Sequence, residues 1–154
     1  MYQYKAKILK VLDGDTVDID LDLGFNIVLS NQRVRMAGID TPESRTVDKE
    51  EKIRGNLSKK KLAEKLPIGS YVTIETQKSD NNDDKFGRIL AIFVLEDGTS
   101  LNQWMIDNNY AVLYQGENKE LVQEMHQYNK TKLIERPEKL IFLISGLLSY
   151  TCTM

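Results

Sequence analysis

Two short polar segments place acidic side chains at predicted turns. Asp13 and Asp15 lie in "LDGDT", and Asp40 and Glu43 lie in "GIDTPE", where a glycine and a proline oppose a helix. Two carboxylates 4 Å apart repel each other by about 4 kcal/mol at an effective dielectric constant of about 20, unless a cation or a guanidinium neutralises them. An alternative interpretation is that these aspartates only form turns and solvated faces.

The composition narrows the kind of cation that such a site could bind. The chain contains one His and one Cys, so it lacks the ligands that zinc prefers. Carboxylate, carbonyl and hydroxyl oxygens suit calcium or magnesium instead. We therefore expect a hard, oxygen-liganded cation if these acidic residues meet in the fold.

Two arginines stand next to these segments or to a predicted strand. Arg35 lies on a predicted strand that leads into "GIDTPE", and Arg88 ends the segment "DDKFGR". A guanidinium binds phosphate through two parallel hydrogen bonds, so two of them beside a cation would suit a phosphodiester, with one carboxylate left as a base. A structural ion pair with a neighbouring acid is the alternative role for each arginine.

Short strands dominate the first two-thirds of the chain. Alternation of apolar residues with aspartates from Val17 to Leu23 predicts a strand whose acidic face, at positions 18, 20 and 22, lies in solvent. The other predicted strands cover residues 4–11, 26–29, 33–37, 71–76 and 89–95. Together with one inserted helix and the helices that follow, they predict an α+β fold, mainly β, built on a five-stranded Greek-key barrel of the OB type.

Three helices are predicted from apolar residues at helical spacing, over residues 50–66, 100–109 and 119–135. Ser100 and Gln103 form the pattern of a capping box at the second helix. His126 lies away from every motif and is predicted to be structural. The residues predicted to face the core are Ile53, Leu57, Ala63 and Leu66, then Leu101, Trp104 and Met105, and finally Leu121, Met125, Tyr128 and Leu133.

Length and charge set further expectations. A chain of 154 residues with 41% hydrophobic residues predicts one domain over residues 1–137, followed by an apolar tail at residues 138–154 that is too short to cross a bilayer. The lone Cys152 and the absence of a secretory signal favour a cytoplasmic protein, which we expect to be monomeric. With a net charge of −2, binding a polyanion would require local positive charge or a bound cation.

Four separated motifs resemble those of the thermonuclease, or staphylococcal nuclease-like, family. They are "VLDGDTVDI", "VRMAGIDTPE", "DKFGR" and "LNQWMIDNNYA", in this order, and the resemblance covers about residues 5–128. It implies an OB-fold barrel with three helices and a calcium-dependent phosphodiesterase that cleaves DNA and RNA and leaves 3′-phosphate ends.

The resemblance also implies roles for individual residues. Asp15, Asp40 and the Thr41 carbonyl would bind calcium, and Glu43 would be the general base. Arg35 and Arg88 would bind the phosphate.

Substrate contacts are expected from two further residues. Lys85 would contact phosphate, whereas Phe86 stands where family members often carry Tyr, so one phenol is missing. Tyr114 is a candidate for stacking on a base or binding phosphate, with a position in the core as the alternative. Because all five charged side chains of the set are present, catalysis is favoured over a second reading, a binding module for nucleic acid or peptides that does not cleave.

Overall fold

The computed structural model describes residues 2–76, 87–116 and 118–134, and five of its strands form a closed barrel. The order around the barrel is β1-β2-β3-β6-β5, and the two remaining strands, β4 and β7, pair with each other. The strands are β1 (Tyr2–Asp13), β2 (Thr16–Gly24), β3 (Ile27–Met36), β4 (Ile39–Asp40), β5 (Tyr71–Thr76), β6 (Ile89–Val94) and β7 (Val112–Leu113). The predicted α+β barrel is confirmed.

The alternation in β2 buries its apolar residues as predicted, but one aspartate does not lie in solvent. Asp18 is buried and forms an ion pair with Arg33 on β3, with 2.9 Å between Oδ1 and Nε. The prediction that all three aspartates of β2 form a solvated face is therefore wrong for Asp18. The guanidinium supplies the hydrogen bonds that water would otherwise provide to the buried carboxylate.

One strand, β3, replaces the two segments predicted at residues 26–29 and 33–37. Asn31 interrupts the apolar pattern between them and has a positive φ of 52°. Its backbone N–H donates to Oδ1 of Asp20 at 2.9 Å, so β2 supports β3 at this irregular position. Strand continuity here depends on a contact between strands, which sequence periodicity does not report.

Parallel pairing of β3 with β6 closes the barrel next to the predicted site. Val34 pairs with Ile89, and Arg35 pairs with Leu90. The buried side chain of Asn102 joins the two strands, since its Nδ2 donates to the carbonyls of Ala37 at 2.8 Å and Ala91 at 3.2 Å. Its Oδ1 accepts the backbone N–H of Phe93 at 3.1 Å. One amide thus bonds to three backbone groups, and the Ala91 carbonyl also accepts the backbone N–H of Ala37 at 2.9 Å.

The three described helices are α1 (Lys49–Lys65), α2 (Leu101–Asp107) and α3 (Lys119–Ile134). Asp48 caps α1 by accepting the N–H groups of Glu50 and Glu51, and Ser100 caps α2 by accepting that of Gln103. Only half of the predicted capping box forms, because the Gln103 side chain donates to Asp107 at 2.8 Å. None of the described helices is both long and apolar enough to cross a membrane.

Two helices bury faces that differ from the prediction. In α1, Leu62 is buried and Ala63 is exposed. In α3, Leu121 and Tyr128 are exposed, so their predicted inward position is wrong. The face of α3 that is buried carries Val122, His126 and Leu133. The apolar tail at residues 138–154, with Cys152, lies outside the described residues, so the division at residue 137 stays a prediction.

Candidate functional site

Arg35, near the end of β3, connects the two aspartates that the sequence singled out. Its Nη1 lies 3.0 Å from Oδ2 of Asp15, and its Nη2 lies 3.3 Å from Oδ1 of Asp40. The Arg35 side chain is only 13% exposed, so its orientation is fixed by these contacts. The predicted meeting of "LDGDT" and "GIDTPE" around a guanidinium is what the structure contains.

Asp15 is held in the turn between β1 and β2. Its Oδ1 accepts the Thr16 hydroxyl at 2.9 Å, and its Oδ2 accepts the Thr41 backbone N–H at 3.2 Å. Burial raises the pKa of Asp15, and Asp40 adds to the rise, whereas Arg35 and the two hydrogen bonds oppose it. The neighbouring glycine permits this packing, because a Cβ at Gly14 would lie 2.7 Å from Cβ of Ser58 on α1.

Asp40 has a second partner that the sequence analysis did not foresee. The Nε2 atom of His126 on α3 lies 2.9 Å from Oδ2 of Asp40. The prediction that His126 lies away from every motif is therefore wrong. The sequence signal for a buried His126 was its helical spacing from Val122, on a face that continues to Leu133. A search for apolar residues alone does not detect a buried histidine.

A buried arginine on α1, Arg54, contacts the backbone of His126. Nη1 of Arg54, on α1, donates to the His126 backbone carbonyl at 3.3 Å. Both residues are buried, and within the described part of the chain Arg54 Nε and His126 Nδ1 have no hydrogen-bond partner. Helix α3 thus contacts the Asp40 carboxylate through His126, and α1 contacts His126 through Arg54.

Glu43 lies beside the aspartates on the turn that follows β4. Partial burial raises the pKa of Glu43, and the negative charges of Asp13, Asp15, Asp40 and Glu51 raise it further. A glutamate with such neighbours holds a proton more readily than one surrounded by water alone. Glu43 therefore belongs to a negatively charged cluster with these acids.

Gly55 lets α1 pack directly on the turn that carries Glu43. A Cβ at this position would lie 2.5 Å from the carbonyl carbon and oxygen of Glu43 and 2.7 Å from the carbonyl oxygen of Pro42. Contacts this close cannot be made by any residue with a side chain. A glycine inside a predicted helix was the sequence signal for this close approach.

The second predicted phosphate-binding arginine occupies a cleft next to the cluster. Arg88 lines it together with Asp13 and Thr16. Thr16 donates to Asp15, and the charge of Asp13 acts on Glu43. The cleft therefore borders the carboxylate cluster through Asp13 and Thr16, although Asp15, Asp40 and Glu43 do not line it.

Of the two residues predicted to contact substrate, the structure describes Tyr114 but not Lys85. Lys85, like Phe86, lies outside the described residues. Tyr114 is 38% exposed, so the alternative of a core position is wrong, and its backbone N–H donates to the Gly38 carbonyl at 2.8 Å. Asp40 on β4 pairs with Val112 on β7, and Tyr114 follows Val112 by two residues. Tyr114 is therefore close along the chain to a residue that pairs with the site.

Comparison with known proteins adds to this geometry. The family model described as staphylococcal nuclease homologue matches residues 33–136. This match covers more than half of the chain and includes Arg35, Asp40, Glu43 and Arg88. The chain belongs to the staphylococcal nuclease homologue family.

Three curated relatives show how far this similarity reaches. Endonuclease YhcR of Bacillus subtilis (strain 168) is 26% identical over 117 residues, which is 73% of this chain and 9% of that protein. An uncharacterized protein of Bacillus anthracis is 31% identical over 109 residues, 71% of this chain and 47% of that protein. The succinoglycan biosynthesis protein ExoI of Rhizobium meliloti (strain 1021) is 26% identical over 121 residues, 79% of this chain and 58% of that protein. The chain spans less than two-thirds of the length of each.

The oxygen atoms of this nuclease-homologue site have the chemistry that a hard cation prefers. One carboxylate oxygen of Asp15 and one of Asp40 contact Arg35. The other oxygen of Asp15 accepts the Thr16 hydroxyl, and the other oxygen of Asp40 contacts the His126 ring. Among the described residues, no three His, Cys, Asp or Glu side chains form a complete metal-binding group. A cation here would therefore also need backbone or water oxygens, which calcium accepts. The Thr41 carbonyl is the candidate backbone ligand.

Proposed function

We propose that this protein is a calcium-dependent nuclease that hydrolyses phosphodiester bonds in DNA and RNA and leaves 3′-phosphate ends. The observation that supports the proposal is the Arg35 guanidinium, which joins Asp15 and Asp40 beside Glu43, whose pKa is raised by partial burial and by the neighbouring carboxylates. Family membership indicates a nuclease and therefore nucleic acid substrates. The cofactor, the products and the residue roles are our inference.

Glu43 is the proposed general base. The raised pKa makes its carboxylate a better acceptor for the proton of an attacking water than an ordinary surface glutamate. Close packing of α1 at Gly55 fixes the position of the turn that carries Glu43. Fixed placement matters because the base must lie within hydrogen-bond reach of the water it activates.

Arg35 and Arg88 are the proposed phosphate-binding groups. A guanidinium has five N–H donors, and Arg35 uses two nitrogens on Asp15 and Asp40, so further donors are available for phosphoryl oxygens. These oxygens gain negative charge in the transition state, so preoriented cations stabilise that state more than the bound substrate. Asp15 and Asp40 keep the Arg35 fork in one orientation.

Calcium, when bound, would supply positive charge beside the phosphate and so stabilise the charge that develops there. Asp15, Asp40 and the Thr41 carbonyl would hold it. His126 orients Asp40 from the opposite side, as outer partners of metal-binding carboxylates do. The same cation would allow a chain of net charge −2 to bind a polyanion.

The test is cleavage of single-stranded DNA and of RNA in calcium and in EGTA. We expect cleavage of both only with calcium, and about 10²- to 10⁴-fold slower cleavage by Glu43→Gln. Glu64→Gln is the matched control because Glu64 is an exposed glutamate on α1 that pairs with Lys61. Equal cleavage in EGTA would rule out the calcium dependence, and no cleavage of either nucleic acid would rule out the nuclease.

Nucleic acid binding without cleavage is the second candidate function. The observation that favours it is that Arg35 is in contact with an oxygen of both proposed calcium ligands. A gel-shift experiment in calcium with the same DNA separates the two functions. A stable complex with intact DNA would support the binding module, whereas cleaved DNA supports the nuclease.

A further inference from the structure

A cleft of about 540 Å³ lies beside the carboxylate cluster and has three arginines in its wall. We call it the arginine cleft and define it by Arg33, Arg45 and Arg88, with Asp13, Thr16 and Asp18. Three guanidinium groups face two carboxylates there, so the cleft is locally positive in a chain of net charge −2. Only one of the three arginines, Arg88, has a role in the proposed chemistry.

Closure of the barrel places two of these arginines at neighbouring positions, Arg33 within β3 and Arg88 just before β6. Val34 and Ile89 are partners in the parallel pairing of β3 with β6, and Arg33 and Arg88 each come one residue earlier. Asp18 fixes the Arg33 fork through contacts of 2.9 Å to Nε and 3.2 Å to Nη2. The Arg33 side chain nevertheless remains 55% exposed. Asp18 occupies the Nε and Nη2 edge of this guanidinium, and the remaining N–H donors are preoriented and accessible to a phosphate.

Arg45 comes from the same turn as Glu43 and is exposed. It forms no hydrogen bond or ion pair with any residue that the structure describes. The Ser44 hydroxyl donates to Oδ1 of Asp13, which ties this turn to the end of β1. The same turn therefore carries Glu43, the proposed base, and Arg45, which lines the cleft.

We propose that Arg33 and Arg45 of the arginine cleft bind the phosphate next to the one that is cleaved, on the same nucleic acid strand, while Arg88 contacts the cleaved phosphate. The inference rests on the proposed function and extends it. Asp13 and Thr16 line the cleft, Thr16 donates to Asp15, and the charge of Asp13 acts on Glu43, so a strand bound beside Glu43 would extend toward the cleft. The protein then binds a strand of several nucleotides more tightly than a dinucleotide, which has a single internal phosphate.

The test measures binding in EGTA, where the proposed cleavage does not occur. A fluorescein-labelled single strand of ten thymidine nucleotides is titrated with the protein and followed by fluorescence anisotropy at several salt concentrations. We expect Arg45→Gln to bind this strand about 3- to 10-fold more weakly. Loss of one phosphate contact should also reduce the slope of log affinity against log salt by about 0.7.

Lys5→Gln is the matched control, since it removes one positive charge at a surface that shares no residue with the arginine cleft. Its affinity for the ten-nucleotide strand should stay within about twofold of wild type. Equal losses in Lys5→Gln and Arg45→Gln would overturn the proposal. An equal loss by Arg45→Gln for the dinucleotide and the longer strand would also overturn it.

A second variant guards against an effect on folding. Arg33→Gln would leave the buried Asp18 without its partner, so Arg33→Lys is preferred. It keeps the charge but loses the fork, and we expect weaker binding with little change in the salt slope. Failure of the wild-type protein to bind the ten-nucleotide strand would refute the cleft, whereas normal binding without cleavage in calcium would refute only the nuclease.

Discussion

The Nε2 atom of His126 lies 2.9 Å from Oδ2 of Asp40, although 86 residues separate them in the sequence. The contact connects the last described helix to the turn that carries the proposed calcium ligand and base. Arg35 binds the other oxygen of the same carboxylate at 3.3 Å. Asp40 is thus oriented from both sides by cationic or ring nitrogens, and its position depends on α3 as well as on the barrel.

Replacement of His126 tests this relationship. We expect His126→Ala to lower calcium affinity or nuclease activity by about 10- to 100-fold, because Asp40 loses the partner that orients it. Val122→Ala is the control, since Val122 is buried on the same face of α3 one turn earlier. The melting temperature of each variant shows how much of the lost activity is due to lost packing. Equal losses of activity in the two variants would mean that His126 only fills space.

Glu43 should titrate above its ordinary pKa of 4.5 in the calcium-free protein, as measured by the carboxyl ¹³C shift against pH. Partial burial and nearby carboxylates favour its protonated form. The folded state then binds more protons than the unfolded state between 4.5 and the raised pKa, so the free energy of unfolding falls as pH rises through this window.

Glu43→Gln should reduce this pH dependence of stability and leave the part due to Asp15, whose pKa is also raised, whereas Glu64→Gln should retain all of it. Calcium should lower the pKa of Glu43 because a nearby cation favours the ionised form. An unchanged pKa on addition of calcium would show that the cation binds elsewhere.

Gly55→Ala tests the close contact between α1 and the turn of Glu43. The added Cβ would overlap the Glu43 carbonyl at 2.5 Å, and we expect the free energy of unfolding to fall by about 1–3 kcal/mol. Urea denaturation measures this change. Asn56→Ala, at the next and exposed position of the same helix, should be neutral or slightly stabilising. A Gly55→Ala variant as stable as wild type would contradict the described packing.

Asn102→Leu tests the amide that joins β3 to β6. It would leave the Phe93 N–H and the Ala37 and Ala91 carbonyls without this partner. Because each unsatisfied buried group costs about 1–3 kcal/mol, we expect a loss of at least about 2 kcal/mol in urea denaturation. Gln103→Leu changes an exposed amide at the next position and should have a small effect. Similar losses in both variants would argue against the bridging role of Asn102.

Much of the barrel could be predicted because its pattern is local. Alternation in β2 buries Val17, Ile19 and Leu21, and the Ser100 cap begins α2 where the sequence indicates. The convergence of Asp15, Arg35 and Asp40 followed from the motifs that resemble the nuclease family. These features depend on periodicity or on short segments whose residues stay together in any similar fold.

What could not be predicted depends on contacts between distant segments. The buried face of α3 is partly polar, since Asn129 donates to the Ala111 carbonyl at 3.0 Å and His126 reaches Asp40. A search for apolar residues therefore selected Leu121 and Tyr128, one position away from the buried face. Asp18 was assigned to solvent for the same reason, because its partner Arg33 lies on another strand.

The contact between α3 and Asp40 gives the order of synthesis a consequence for activity. A ribosome completes Asp15, Arg35, Asp40 and Glu43 long before it adds His126. Until the last described helix has emerged and docked, the growing chain has the acidic groups but lacks the ring that holds Asp40. The proposed nuclease activity would therefore become complete only after most of the chain has been synthesised.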